Sequence, residues 1–185
     1  MPQSIFLASG GARVDLSPQT GGAIAAFTFE GRNVMRPTPA EARETGDVRA
    51  HACYPLVPYS NRIAEARFAF GGRDVELERN FGGHPHAIHG VGWQRPWRVV
   101  ARDATSALLA FEHAAASADE RAWPWPFRAT QWFGLAADAR GATLTAKLAI
   151  VNTGDDSFPF GLGFHPFFPR TATTALDFDV AAVWW

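Results

Sequence analysis

Apolar and polar residues alternate along several short stretches of the chain. Between residues 144 and 150 the even positions are apolar, whereas Thr145 and Lys147 are polar. A period of two is typical of an antiparallel strand with one buried face. The strands predicted from such stretches are 4–8, 12–16, 23–29, 67–70, 74–78, 97–103, 107–113, 127–136 and 142–152.

Turn-forming residues separate these stretches. The chain contains 17 glycines and 13 prolines, and pairs such as Gly10-Gly11 and Gly71-Gly72 lie between neighbouring strands, as in hairpins. The same breaks leave room for one short helix, predicted over 39–46. The sequence therefore predicts an all-β fold of two packed antiparallel sheets, forming a single β-sandwich domain over residues 1–185.

Composition excludes several classes of protein. A chain of 185 residues that is 47% hydrophobic can bury a core, but its apolar stretches are too short to span a bilayer. The net charge of −1 argues against nucleic-acid binding, which needs a surplus of basic residues. Cys53 is the only cysteine, and the first residues do not resemble a secretory signal, so we expect a cytoplasmic protein.

The last five residues of the sequence, 181–185, are apolar and end in two tryptophans. Exposed tryptophans at a terminus would be costly, because each ring carries a large apolar surface. We therefore expect either that they dock into the core or, in preference, that the chain is the N-terminal portion of a longer domain.

Three histidines lie close together in a loop rich in glycine and proline. His84, His86 and His89 have the spacing H-x-H-x-x-H, which occurs in zinc hydrolases. Such sites carry an aspartate before the third histidine, where this chain has Ile88, and a cupin site would need a glutamate near Gly90. Because a key ligand is missing from both motifs, we predict no metal site. A hydrogen-bonding role within the loop is the alternative for any single histidine.

Two further segments carry polar groups suited to a binding cleft. The run 54–63 contains two prolines and two tyrosines and ends in Asn61-Arg62-Ile63. An arginine at the start of a strand can point its forked guanidinium into a cleft. A later segment, 163–168, places His165 between aromatic residues.

Together these segments resemble the aldose 1-epimerase (galactose mutarotase) family. The resemblance covers most of residues 14–185, and the motifs occur in the family's order. They are 58–63, Phe68-x-Phe70-x-Gly72, Leu77-x-x-Asn80, 86–90 with Trp93 and Trp97, and 163–168. The resemblance implies a large antiparallel β-supersandwich, in agreement with the predicted strands.

The resemblance also implies roles for five residues. Arg62 matches the arginine that binds sugar hydroxyls, and Asn61 is the neighbour expected to orient it. His89 matches the histidine that contacts the sugar near its anomeric centre, and His165 the general acid that protonates the ring oxygen. His86 either contacts the sugar or supports His89.

The implied reaction interconverts the α and β anomers of a hexose through ring opening. It needs one group to donate a proton and one to accept it, but neither a metal nor an organic cofactor. In the family the base is a glutamate, which we expect to lie beyond Trp185. Glu65, Glu76 and Glu78 are predicted to be solvated hairpin positions instead.

A non-catalytic carbohydrate-binding β-sandwich is the alternative. It would stack sugars on Trp93, Trp97, Trp123 and Trp125 and anchor them with Arg62. The segment 123–126 is more simply interpreted as a structural loop that closes one end of the sandwich. In either case the expected ligand is a neutral aldohexose, and an exposed sheet edge would favour a homo-oligomer.

Overall fold

The structure is a computed structural model, and it describes residues 4–116, 119–177 and 179–182. It contains one α-helix, α1 (Ala40–Thr45), and three short 3-10 turns at Val48–Ala50, Ala64–Ala66 and Gly92–Gln94. The strands are β1 (Ile5–Ser9), β2 (Ala12–Ser17), β3 (Ala23–Phe29), β4 (Arg32–Asn33), β5 (Cys53–Leu56), β6 (Arg62–Ile63), β7 (Arg67–Phe70), β8 (Arg73–Glu76), β9 (Ala87–Ile88), β10 (Arg98–Arg102), β11 (Ser106–His113), β12 (Phe127–Asp138), β13 (Gly141–Asn152) and β14 (Gly163–Pro166).

Two antiparallel sheets form the body of the molecule. The first has the order β1-β2-β3-β5-β14, with β4 also pairing with β3, and the second has the order β10-β11-β12-β13. Two smaller antiparallel pairs, β6-β9 and β7-β8, complete the fold. The all-β prediction is confirmed.

A continuous core lies between the two sheets. Leu7 and Val14 from the first sheet and Leu109 and Phe133 from the second are fully buried within it. A smaller cluster, which includes Tyr54 and Trp93, packs separately. In β5 the side chains of Cys53 and Tyr54 point to opposite faces, because successive residues of a strand alternate. Cys53 accordingly belongs to the main core and Tyr54 to the small cluster.

The long strands and the helix agree with the sequence prediction to within two residues at each end, and the predicted strand 74–78 spans Arg73–Glu76. Leu77 and Glu78 lie beyond it. The sequence placed Arg62 at the start of a strand, as in β6, but did not predict the short strands β4, β5, β9 and β14, which come from loop segments, two of them containing proline. The terminal Trp184 and Trp185 lie outside the described residues.

Glu65, Glu76 and Glu78 are exposed, as expected, but only Glu76 lies in the β7-β8 hairpin. Glu65 belongs instead to the 3-10 turn before β7, with a positive φ of 51°. In the described residues no helix has the length and apolarity needed to cross a membrane.

Candidate active site

His165 is placed by the ladder between β5 and β14. It lies directly opposite Tyr54, so the two side chains share one face of the first sheet. The His165 imidazole stacks on the Tyr54 ring at 4.9 Å and on the Phe167 ring at 4.6 Å between centroids. The Arg36 guanidinium covers the other side of Phe167 at 4.0 Å. His165 therefore packs against two aromatic rings that also contact each other, with 6.1 Å between the centroids of Tyr54 and Phe167.

His89 reaches the same face from the loop that follows β9. Its backbone has a positive φ of 61°, and its N–H donates to the carbonyl of Asn61 at 2.9 Å. The His89 ring lies 5.5 Å from that of His165, nearly perpendicular to it, and 5.8 Å from that of Trp93. Its Nδ1 atom is buried and has no hydrogen-bond partner among the described residues, which leaves Nε2 to meet a ligand.

Arg62 is brought close to His89 by the β6-β9 ladder. It lies opposite Ile88, the residue before His89. Its guanidinium donates to the side-chain oxygen of Asn61 at 3.1 Å, and this hydrogen bond orients the guanidinium. Asn61 therefore contacts both neighbours, since its side chain binds Arg62 and its carbonyl binds the backbone of His89.

Burial and neighbouring cations keep both site histidines neutral at pH 7. Burial, with smaller contributions from His165 and Arg62, lowers the pKa of His89 to about 4. Burial is also the main cause that lowers the pKa of His165, and Arg36 lowers it further, although a backbone hydrogen bond opposes the shift. No carboxylate in the described part of the chain contributes to either shift.

His86 lies in a different arrangement from His89. Its Nδ1 accepts a hydrogen bond from the backbone N–H of Glu65 at 3.0 Å, and its ring lies 5.1 Å from that of His84. The structure thus brings His89, His165, Arg62 and Asn61 together, whereas His86 packs with His84. Over residues 4–116, 119–177 and 179–182, no three histidine, cysteine, aspartate or glutamate side chains are grouped so as to hold a metal ion.

The four tryptophans proposed as stacking surfaces are buried instead. Trp93, Trp97, Trp123 and Trp125 each expose 3% or less of their surface. The indole N–H groups of Trp93 and Trp97 donate to backbone carbonyls within the fold. The prediction of a tryptophan platform for sugars is therefore wrong, because these rings fill the core. The interpretation of 123–126 as a structural loop agrees with this burial.

Comparison with known proteins identifies the fold and its family. The family model of aldose 1-epimerases matches residues 3–179. The chain belongs to the aldose 1-epimerase family. YphB, an uncharacterized protein of Escherichia coli (strain K12), is 33% identical over 96% of this chain and 56% of its own length. YihR of the same organism is 27% identical over 95% of this chain and 53% of its own length.

Solved structures of epimerase-like proteins share the fold. A crystal structure of an E. coli K12 protein assigned provisionally as an aldose 1-epimerase is 32% identical, with a TM-score of 0.79 over 91% of this chain and 53% of that one. A galactose mutarotase-like protein from Clostridium acetobutylicum has a TM-score of 0.74 at 20% identity, over 88% of this chain and 49% of that one. The present chain therefore spans about half the length of the curated relatives it matches.

Two aromatic residues that pack against His165 received no role from the sequence, and a third, Trp93, was expected to stack a sugar. Tyr54 and Phe167 both pack against His165 and contact each other, and Trp93 packs against His89. Phe167 belongs to the motif 163–168 and Tyr54 to the run 54–63 that precedes Arg62, so their positions carried a signal. Their packing against His165 carried no such signal, because it depends on the pairing of β5 with β14, which lie more than a hundred residues apart in the chain.

Proposed function

We propose that the chain supplies the sugar-binding and proton-donating groups of an aldose 1-epimerase that acts on neutral hexoses. The observation that carries the proposal is the contact of the His89 and His165 rings, 5.5 Å apart, with Arg62 close enough to His89 to lower its pKa. Family membership supports the reaction, and the three side chains supply hydrogen-bonding groups for hydroxyls and a ring oxygen.

In the proposed reaction a base removes the proton of the C1 hydroxyl while His165 gives a proton to the ring oxygen. The bond between C1 and the ring oxygen then breaks, which leaves an aldehyde at C1 and a hydroxyl at C5. Rotation about C1–C2 and the reverse proton transfers close the ring on the other face. Arg62 and His89 bind the sugar in place, and Asn61 orients Arg62.

The lowered pKa of His165 leaves its imidazole neutral at pH 7 in the chain as described. A neutral imidazole is a poor proton donor to an ether oxygen, whereas a nearby carboxylate would raise the pKa of His165 and stabilise its protonated form. We propose that this carboxylate, which is also the base, comes from outside the described residues, as expected from the sequence. The chain would then be the N-terminal portion of a longer domain.

The test is the rate of α-to-β interconversion of 13C1-labelled glucose and galactose, with and without added acetate. We expect the buffer rate without acetate, and with acetate a rate above that of acetate alone, because the small carboxylate replaces the missing base. His165→Gln should abolish this acceleration. Acceleration without acetate would contradict the missing base, and equal rates for the two proteins in acetate would contradict the role of His165.

A non-catalytic binder would respond differently to the same variant. The buried tryptophans remove its stacking surface, but Arg62 could still anchor a sugar. His165→Gln would leave its sugar affinity nearly unchanged, and no acceleration would occur in acetate. If the chain is part of an epimerase, His165→Gln should lose the acceleration seen in acetate whether or not it still binds the sugar.

A further inference from the structure

Asn80 makes an unusual set of contacts with the loop that carries His89. Its side-chain amide nitrogen donates to the carbonyls of Ile88 at 2.7 Å and Gly90 at 2.9 Å. Its side-chain oxygen accepts from the backbone N–H of Ile88 at 2.8 Å. One carboxamide thus binds the residues immediately before and after His89, eight to ten positions along the chain.

The backbone of His89 and Gly90 also makes hydrogen bonds to residues other than Asn80. The N–H of His89 donates to the carbonyl of Asn61 at 2.9 Å, and the carbonyl of Gly90 also accepts from the indole of Trp93 at 3.1 Å. The backbone of residues 88–90 is therefore fixed between Asn80 on one side and Asn61 on the other.

His89 needs such support because of its backbone conformation. Its φ of 61° lies in the left-handed region, which is unfavourable for a residue other than glycine and persists only where the surroundings enforce it. The backbone groups on either side of it use the Asn80 carboxamide as a substitute for a neighbouring strand. Without that partner, the loop would lose three hydrogen bonds.

We propose that Asn80 is the positioning residue that holds His89 in its place in the site. It acts through the backbone of residues 88–90 and not by touching the sugar. Only an asparagine-sized carboxamide offers two donors and an acceptor at this reach, since aspartate has no donor when ionised and glutamine is longer by one methylene. The effect on sugar binding rests on the proposed function, whereas the effect on His89 itself does not.

The test compares Asn80→Ala with Asn152→Ala by NMR of the histidine rings. Asn152 is a matched control, because its carboxamide also binds two backbone groups of a loop, those of Asp156 and Gly154, in a segment without proposed site residues. We expect Asn80→Ala to shift the His89 ring signals and to raise the pKa of His89 from about 4 toward the ordinary value, since a loosened loop admits water. Asn152→Ala should leave both unchanged.

Hexose affinity separates this inference from the proposed function. We expect Asn80→Ala to weaken glucose or galactose binding by about tenfold, as displaced site groups commonly do. Altered His89 signals with unaltered affinity would support Asn80 as the positioning residue and count against His89 as the sugar contact. Unaltered His89 signals in a folded Asn80→Ala variant would overturn the inference.

A measurement on the unmodified chain covers the case in which the variant does not fold. The side-chain amide protons of Asn80 should exchange with solvent at least about tenfold more slowly than those of an exposed asparagine, because both are donated. Exchange at the rate of a free asparagine would overturn the inference.

Discussion

His89 combines a left-handed backbone with a ring that is half-buried beside a second imidazole. Burial disfavours its charged form, and Arg62 disfavours it further, so its pKa is lowered to about 4. At neutral pH His89 is therefore uncharged, so in the proposed site it would bind a ligand as a neutral hydrogen-bonding group. A neutral imidazole suits a contact with a sugar hydroxyl, because an uncharged hydroxyl could not compensate a buried positive charge on His89.

The first prediction concerns the titration of His89. In a 1H–15N NMR titration its ring should protonate near pH 4, well below the ordinary histidine value of about 6.5. Arg62→Ala should raise this pKa only slightly, because burial is the larger cause and remains in the variant. A His89 pKa close to the ordinary value in the unmodified chain would contradict the structure of the site.

The sequence could identify these residues only where their type and neighbours carried the signal. Arg62, His89 and His165 are chemically distinctive residues in recognisable segments, and the structure brings them together. Asn80 belonged to a recognised motif, but its contacts with residues 88–90 depend on how two loops fold together. No local pattern in the sequence specifies that arrangement.

At the scale of elements, two loops meet beneath the site. The carbonyl of Val57 accepts from the N–H groups of Val91 and Gly92, each at 3.0 Å. Gly90 lies so close to this loop that a β-carbon on it would come within 2.2 Å of the Val57 carbonyl oxygen. A glycine at position 90 therefore permits the approach that places His89 next to Asn61.

The second prediction compares two glycine substitutions. Gly90 and Gly71 both have positive φ, 72° and 60°, but a β-carbon at Gly71 would meet no atom within 4 Å. Gly71→Ala should cost about 1 kcal/mol from backbone strain alone, whereas Gly90→Ala should cost several kcal/mol because it also collides with backbone. Urea unfolding measures both. Equal losses would show that the two loops are not closely packed at Gly90.

The strands that the sequence could predict are those whose own residues alternate between apolar and polar. Strands β12 and β13 alternate over twelve residues each and pair through a short turn, so their sequence alone reveals them. Strands β5 and β14 have four residues each, contain proline, and pair only with distant parts of the chain. Their hydrogen bonds depend on residues far away along the chain, which a local pattern cannot show.

At the scale of the whole molecule, the second sheet ends in a long strand. In the described part of the chain β13 pairs with β12 and with no other strand, so its outer edge has free backbone groups. The apolar residues of β13 are only half-buried against the core. Such an edge is a template for pairing with another chain.

The third prediction is that the 185-residue chain self-associates through this edge. Light scattering across a range of concentrations should show species larger than a monomer. Ala149→Lys, which adds a charge to the exposed face of β13, should shift the distribution toward monomer. The same substitution at Ala104, in the turn between β10 and β11, is the control and should have no effect. A monodisperse monomer of the unmodified chain would contradict the prediction.

The fourth prediction concerns the pH dependence of stability. Burial lowers the pKa of His51, His89, His113 and His165 in the folded chain. Between about pH 6.5 and the lowered values the unfolded chain binds more protons, so the free energy of unfolding should fall as the pH falls through this window.

Urea unfolding at pH 7 and pH 5 measures this effect. His89, whose pKa is lowered to about 4, is the most informative substitution, and His89→Gln should reduce the difference between the two pH values. Equal stability of the unmodified chain at both values would contradict neutral burial of these histidines.

The central claim is that Arg62, His89 and His165 form one hexose site, and a sugar titration followed through the histidine ring resonances tests it most directly. We predict that glucose or galactose shifts the signals of His89 and His165 along one saturable curve, while the signal of the core residue His51 stays fixed. Arg62→Ala should weaken the binding that this curve reports. If neither site histidine responds to either sugar up to saturating concentrations, or if the two respond with different affinities, the three residues do not form the proposed site.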